Sequence, residues 1–143
     1  MAEIPYLLDL AYTTNYFAQQ SPTVLNYVAK FHWAKGCNMQ QPFAYCDLGC
    51  GNGLTCNTLA AANPNGEFYG IDLNPEHIDN ANTLAEKANL PNVRFLTSSF
   101  ADLASDDLPQ FDFIALHGVY SWVSAEVRAD VREVLKRFLK PHG

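Results

Sequence analysis

The chain has 143 residues, 48% hydrophobic and 13% aromatic, which is enough to bury the core of one compact domain and too apolar for a disordered segment. Its formal net charge is -6 and its nine Lys and Arg residues are scattered, so the basic footprint that a phosphate backbone requires is missing and nucleic acid is disfavoured as a substrate. Glu3, Pro5 and Asp9 interrupt the first apolar stretch and no basic region precedes it, which excludes a signal peptide, and no apolar run reaches membrane-spanning length.

Residues 1–40 read as a helical lead-in. Tyr6, Tyr12, Tyr16 and Phe17 are interleaved with polar residues without a clear period. A helix is predicted from Pro22 to about Trp33: Ser21 caps it, Pro22 suits its first position, and Val24, Leu25, Val28 and Phe31 share one face that should pack on a larger body. From residue 41 onward strands and helices alternate. Phe43 to Cys46 is a short strand, followed by a glycine-rich turn and a helix around Thr55 to Ala62. Asn63-Pro64-Asn65-Gly66 marks a turn, and Phe68 to Ile71 is a second strand ending at Asp72. Asn74 caps the next helix with Pro75 at its first position, and Ile78, Ala81, Ala85 and Ala88 recur on one face until Pro91. Val93 to Leu96 is a third strand, the residues around Asp106 and Asp107 a loop, and Phe111 to Leu116 a fourth strand. Ser124 then caps a helix carrying Val127, Val131, Val134, Leu135 and Phe138, closed by Pro141 and Gly143. Such alternation predicts an α/β fold, a parallel sheet with right-handed crossovers and helices on both faces.

The chemistry concentrates in the first turn, Asp47-Leu48-Gly49-Cys50-Gly51-Asn52-Gly53. Alternating glycines let the backbone approach a ligand closely, and the helix behind them offers free N–H groups and a positive dipole end. The nicotinamide-dinucleotide fingerprint G-x-G-x-x-G fails, because its last position falls on Leu54 counted from Gly49 and on Cys56 counted from Gly51. No Gly-Lys-Ser/Thr follows, so a phosphate-cradling Walker loop is absent as well. A nucleoside-like ligand without phosphates suits what remains, with Asp47 favouring an amine on its amino-acid end and backbone N–H groups holding its carboxylate. Asp72, roughly twenty residues beyond the glycines at the end of a strand, stands where an acid accepts both ribose hydroxyls; an ordinary carboxylate near the Asn74 cap is the plainer explanation.

Asp47-x-Gly49-x-Gly51-x-Gly53 followed by Gly70-Ile71-Asp72 resembles the first two motifs of the class I S-adenosylmethionine-dependent methyltransferases. The resemblance covers roughly the last two-thirds of the chain. It implies a Rossmann-like sheet, here its first four strands after an N-terminal helical segment, with S-adenosylmethionine as cofactor and S-adenosylhomocysteine as product. It implies that Gly49, Cys50, Gly51, Asn52 and Gly53 hold the methionine part, that Asp72 with Leu73 binds the ribose, and that Ser99 and Phe100 flank the adenine. Ser99 replaces an Asp that the family often carries, which weakens that contact or moves it to the backbone. After the fourth strand, His117-Gly118-Val119-Tyr120-Ser121-Trp122 falls near the transferable methyl. An Asn/Asp-Pro-Pro-aromatic motif, usual in nucleic-acid amino-methyltransferases, is absent. Together with Val127-Arg128 this string is similar to bacterial methyltransferases with a C-terminal regulatory domain, some of which modify protein lysines.

His117 at a strand end reads either as a ligand contact or as a histidine satisfied by neighbouring backbone, and His117 and Tyr120 are the candidates for a proton-accepting group. Tyr120 and Trp122 read either as an aromatic wall around a sulfonium or as packing under the next helix. Tyr16 and Tyr12 read as a lid over the cofactor or as packing. His32, His77 and His142 carry no signal. Cys37, Cys46, Cys50 and Cys56 form no C-x-x-C pair and read as free thiols of a cytoplasmic protein, with no metal expected. The expected methyl acceptor is a protein or a small molecule. Four strands where the family has seven read as the N-terminal portion of a longer protein, so a cofactor-binding module without catalysis stands as the alternative. The fourth strand would be an exposed edge, which a second copy, as a homodimer, or another chain would cover.

Overall fold

A computed structural model describes residues 14–143. After a 3-10 turn at Ala18–Gln20, the order is α1 (Pro22–Phe31), β1 (Phe43–Leu48), α2 (Leu54–Ala62), β2 (Gly66–Asp72), α3 (Pro75–Lys87), β3 (Val93–Thr97), α4 (Phe100–Leu103), β4 (Phe113–Leu116) and α5 (Ala125–Phe138). The four strands form one parallel sheet in the order β3-β2-β1-β4, the Rossmann-like α/β arrangement. Leu48 pairs with Ile71 on one side and Leu116 on the other, so the carboxyl ends of β1, β2 and β4 lie level. The order reverses at β1, where the crossovers leave to opposite sides and a crevice opens between β1 and β4.

Period-2 alternation divides the core. Phe43, Tyr45, Phe68, Phe113 and Ala115 face one side and pack with Cys56, Leu59 and Ala60 of α2, with Leu25 of α1 at the margin. Cys46, Leu48, Tyr69 and Ile71 face the other, against Phe100 and Leu103 of α4 and Val127, Val131, Val134 and Phe138 of α5. Capping follows the sequence: Ser21, Asn74 and Ser124 accept from Val24, Glu76 and Val127 N–H groups, with Pro22 and Pro75 at the first helical positions.

Three expectations are corrected. The shared face of Val24, Val28 and Phe31 does not pack on the body; α1 buries Pro22 and Asn26 instead, because the Asn26 side chain bonds both the N–H and the carbonyl of Cys37. Phe111 lies outside β4, bridged to Leu139, since its N–H donates to the Phe138 carbonyl and its carbonyl accepts from Lys140. That bridge occupies part of the outer side of the fourth-strand region, so the edge is shorter than the sequence suggested. A short helix, α4, stands before the Asp106 loop where none was predicted. Among the described residues no helix is long and apolar enough to cross a membrane.

Candidate functional site

The crevice lies where the fold places it, at the carboxyl ends of β1 and β4. A concavity there is lined by Asp47, Gly49 to Gly53, Leu54 and Thr55, by His117 at the end of β4, and by Thr14, Asn15, Phe17 and Gln20 of the lead-in. Gly49, Gly51 and Gly53 have φ of 80°, 53° and 71°, backbone that side-chain-bearing residues adopt only with strain. At Gly53 a side chain is excluded twice over, because a Cβ would come within 2.5 Å of the Ala81 Cβ on α3.

The turn is fixed from within. Gly49 and Cys50 N–H groups both donate to the Ile71 carbonyl, at 2.8 and 3.0 Å, and Gly53 donates to the Cys50 carbonyl. The Gly51 N–H donates to Asp72 Oδ2 at 2.9 Å. Four of the turn's donors are thus committed, one within the turn and three to the end of β2, which leaves the N–H groups at the start of the following helix for a carboxylate. α2 has no side-chain cap at Gly53, so the first-turn N–H groups behind Gly53, beside the lining residues Leu54 and Thr55, form the end suited to an anion.

Asp72 stands at the rim. Its Oδ1 accepts from the Asn74 N–H at 2.9 Å and lies 3.2 Å from His77 Nδ1. The carboxylate is mostly buried yet keeps acceptor capacity on Oδ2 beyond the Gly51 bond, the requirement for holding a ribose hydroxyl. His77, silent in the sequence, therefore joins the site by orienting Asp72.

Asp47 is buried to 2% exposure. That burial pushes its carboxyl up to about 7, the hydrogen bond from Gln20 Nε2 pulls it down, and the charge on Asp72 pushes it up again. A buried carboxylate at a cavity wall stabilises a cationic group placed against it. Cys46, Cys50 and Cys56 surround it as free thiols, each pushed further from ionisation by burial and then by the Asp47 charge. The cradle fits S-adenosylmethionine: a close-approach turn, an acid for an amine, a helix N-terminus for a carboxylate and a second acid for a ribose.

The remaining predicted residues divide. His117 lines the concavity, its ring stacked on Phe17 at 3.9 Å between centroids. Asn52 lines it too, with Oδ1 accepting from Asn80. Tyr120 is turned toward α5: its hydroxyl accepts from Arg132 at 3.1 Å, and its ring lies 5.5 Å from the Arg128 guanidinium. Trp122 is exposed. Ser99 caps α4, bonding both the Asp102 N–H and its carboxylate. The Phe100 ring is buried in the core, which corrects its expected place against the adenine and leaves only its backbone for such a contact. Leu73 and Gly118 lie beyond the lining residues, half-buried and exposed. Tyr16 is exposed, 46%, and the neighbouring Phe17 lines the concavity in its place; Tyr12 and Tyr6 lie outside the described residues. Sequence reasoning missed Gln20 and Thr55 as well: Thr55 Oγ1 accepts from the Phe17 N–H at 3.0 Å and donates to the Asn15 carbonyl at 3.3 Å, strapping the lead-in across the turn.

Residues 41–143 match the family model of a methyltransferase domain. The chain belongs to that family. An uncharacterized protein of Synechocystis is 40% identical over 138 residues, 96% of this chain and 27% of its own length. An uncharacterized protein of Rickettsia prowazekii is 38% identical over 97 residues, 68% of this chain and 38% of that protein. Among solved structures, PKMT2 from Rickettsia typhi in complex with AdoHcy superposes with a TM-score of 0.86 at 31% identity, covering 92% of this chain and 25% of that one. The chain thus spans between about a quarter and two-fifths of the length of these three proteins.

Proposed function

We propose that this chain binds S-adenosylmethionine and supports methyl transfer from it to a protein lysine, leaving S-adenosylhomocysteine. The observation that carries the reading is the joint placement of Asp47, the glycine turn and Asp72 at the topological switch point, with Gly51 bonded to Asp72. Asp47 meets the ammonium group, the start of α2 meets the carboxylate, and Asp72 accepts from the ribose. The cofactor supplies an activated methyl on a sulfonium, so the protein's part is to position the acceptor amine in line and exclude water. His117 is the group at the concavity suited to take the amine's proton. The lysine acceptor is supported by the likeness to PKMT2, by the resemblance noted from the His117 to Trp122 string, and by a net charge of -6, which attracts basic segments.

A second reading, a cofactor-binding module without catalysis of its own, is favoured by one observation: Tyr120 is engaged by Arg128 and Arg132, and Phe17 stacks on the His117 ring, so both candidate proton acceptors already have partners. Calorimetric titration with S-adenosylmethionine, S-adenosylhomocysteine and NAD tests the cofactor reading. The adenosyl ligands are expected to bind and NAD is not; Asp72→Ala should weaken binding by at least about tenfold, or 1.4 kcal/mol, and Gly51→Val should abolish it. Transfer of labelled methyl to lysine-containing peptides then separates the enzyme from the module. Binding of NAD alone would sink both readings.

A further inference from the structure

The strap across the concavity contains one buried polar side chain that neither the glycine turn nor the family match accounts for. Gln20 is 5% exposed, and its Nε2 donates to Asp47 Oδ1 at 3.1 Å. Its backbone is fixed from both sides: its N–H donates to the Phe17 carbonyl, and its carbonyl accepts from the hydroxyl of Tyr45, which is fully enclosed in the core. The donor that orients Asp47 therefore comes from a segment 27 residues away. The nearby N–H groups of Gly49, Cys50 and Gly51 are committed to Ile71 and Asp72. A carboxylate offers about four acceptor sites, so Asp47 keeps capacity for a cation after Gln20 has taken one.

We propose that Gln20 is a positioning residue for the amino-acid end of the cofactor: its carboxamide fixes Asp47 to meet the α-ammonium group, making that recognition depend on the seated strap. The inference rests on the S-adenosylmethionine reading of the site. The strap's other anchors, the Phe17 N–H on Thr55 and the Phe17 ring on His117, hold the roof without touching Asp47. Damage to Gln20 and damage to Phe17 should therefore be distinguishable by ligand. Recognition of the ammonium also needs Asp47 charged, and Gln20 favours that form. The titratable groups around Asp47 are Tyr45, Cys46, Cys50 and Cys56, Asp72 at the end of β2, and His117 across the crevice. The phenol and the thiols are held neutral by burial, so loss of the Gln20 donor moves the Asp47 titration to higher pH.

The test compares dissociation constants of S-adenosylhomocysteine and 5′-deoxy-5′-methylthioadenosine, which keeps the adenosyl thioether and lacks the amino-acid end. They are measured on the full chain, Gln20→Met, Gln20→Glu and Phe17→Ala, from about pH 5.5 to about pH 8. Gln20→Met keeps the volume and removes the donor; Gln20→Glu keeps the shape and exchanges the donor for a carboxyl, a second route should the first variant fold poorly. Expected is a loss of about tenfold for S-adenosylhomocysteine in both Gln20 variants, with the methylthioadenosine within about twofold. The pH at which the preference is half lost should rise in Gln20→Met. Phe17→Ala should weaken both ligands alike. A full chain that binds both ligands, with Gln20 variants that weaken both equally or neither, would overturn the inference alone. A full chain that binds neither ligand would overturn the functional reading and the inference with it.

Discussion

Asp47 shows how one residue carries opposed demands. A carboxyl raised to about 7 by burial binds a proton in the folded chain at pH values where the unfolded chain has released it. The contribution of Asp47 to stability is therefore greatest below the unfolded carboxyl range and declines as pH rises through the window from about 4 to about 7. Asp47→Asn removes the titration and keeps a carbonyl for Gln20 to donate to. Its stability advantage over the parent should grow by roughly 1–3 kcal/mol between about pH 5 and about pH 8, while affinity for the amino-acid end of the ligand is lost. Equal melting profiles for both proteins across that range would show that Asp47 is not buried as a charge. Gly53 makes the opposite case, a residue whose value is its missing side chain. With φ at 71° and the Ala81 Cβ 2.5 Å from where a Cβ would sit, Gly53→Ala should cost about 2–4 kcal/mol in denaturant unfolding, from backbone strain and the displacement of α3.

At the level of elements, α3 links stability to the site. Its cap, Asn74, accepts from the Glu76 N–H with its side chain and donates its own N–H to Asp72. Asn74→Ala should lower stability by about 1 kcal/mol and weaken adenosyl-ligand binding by a few-fold, because the Asp72 carboxylate loses the rigid start of the helix that orients it. Unchanged affinity with lowered stability would separate the cap from the site. Elements of this kind were legible in the sequence because their signals are local: caps and first-turn prolines at Ser21-Pro22 and Asn74-Pro75, the glycine turn, and the short apolar runs of β1 and β2. What escaped were contacts made across long stretches of chain. The lead-in has no period because it is held by particular bonds, Phe17 to Thr55 and Gln20 to Asp47, at separations of 38 and 27 residues. The periodicity of α1 specified an apolar stripe, but which side turns inward was decided by Asn26 and Cys37, a side-chain clamp that no hydrophobic pattern encodes. Phe111 likewise looked like strand because it stands just ahead of the apolar run Phe113 to Leu116, and its partner proved to be the segment after α5.

At the scale of the whole molecule, the core is divided between two sheet faces, and the tryptophans belong to neither. Trp33 is 97% exposed and Trp122 78%, and the chain has only these two. With no buried indole, native emission should resemble that of indole in water and change little on unfolding, even as far-UV circular dichroism reports a cooperative transition. Trp33 also stands beside the uncovered side of α1, where Tyr27, Val28 and Phe31 are exposed at 67%, 48% and 69%. An apolar patch of that kind favours association between molecules without contributing to the core. Replacing Tyr27 and Phe31 together by Glu should therefore raise solubility and alter unfolding free energy by no more than about 0.5 kcal/mol for each site. A blue-shifted native emission that grows with protein concentration and disappears in the double variant would place Trp33 in a contact between copies. Emission that is blue-shifted at every dilution would instead mean that one indole is buried within the single chain, contrary to the packing described.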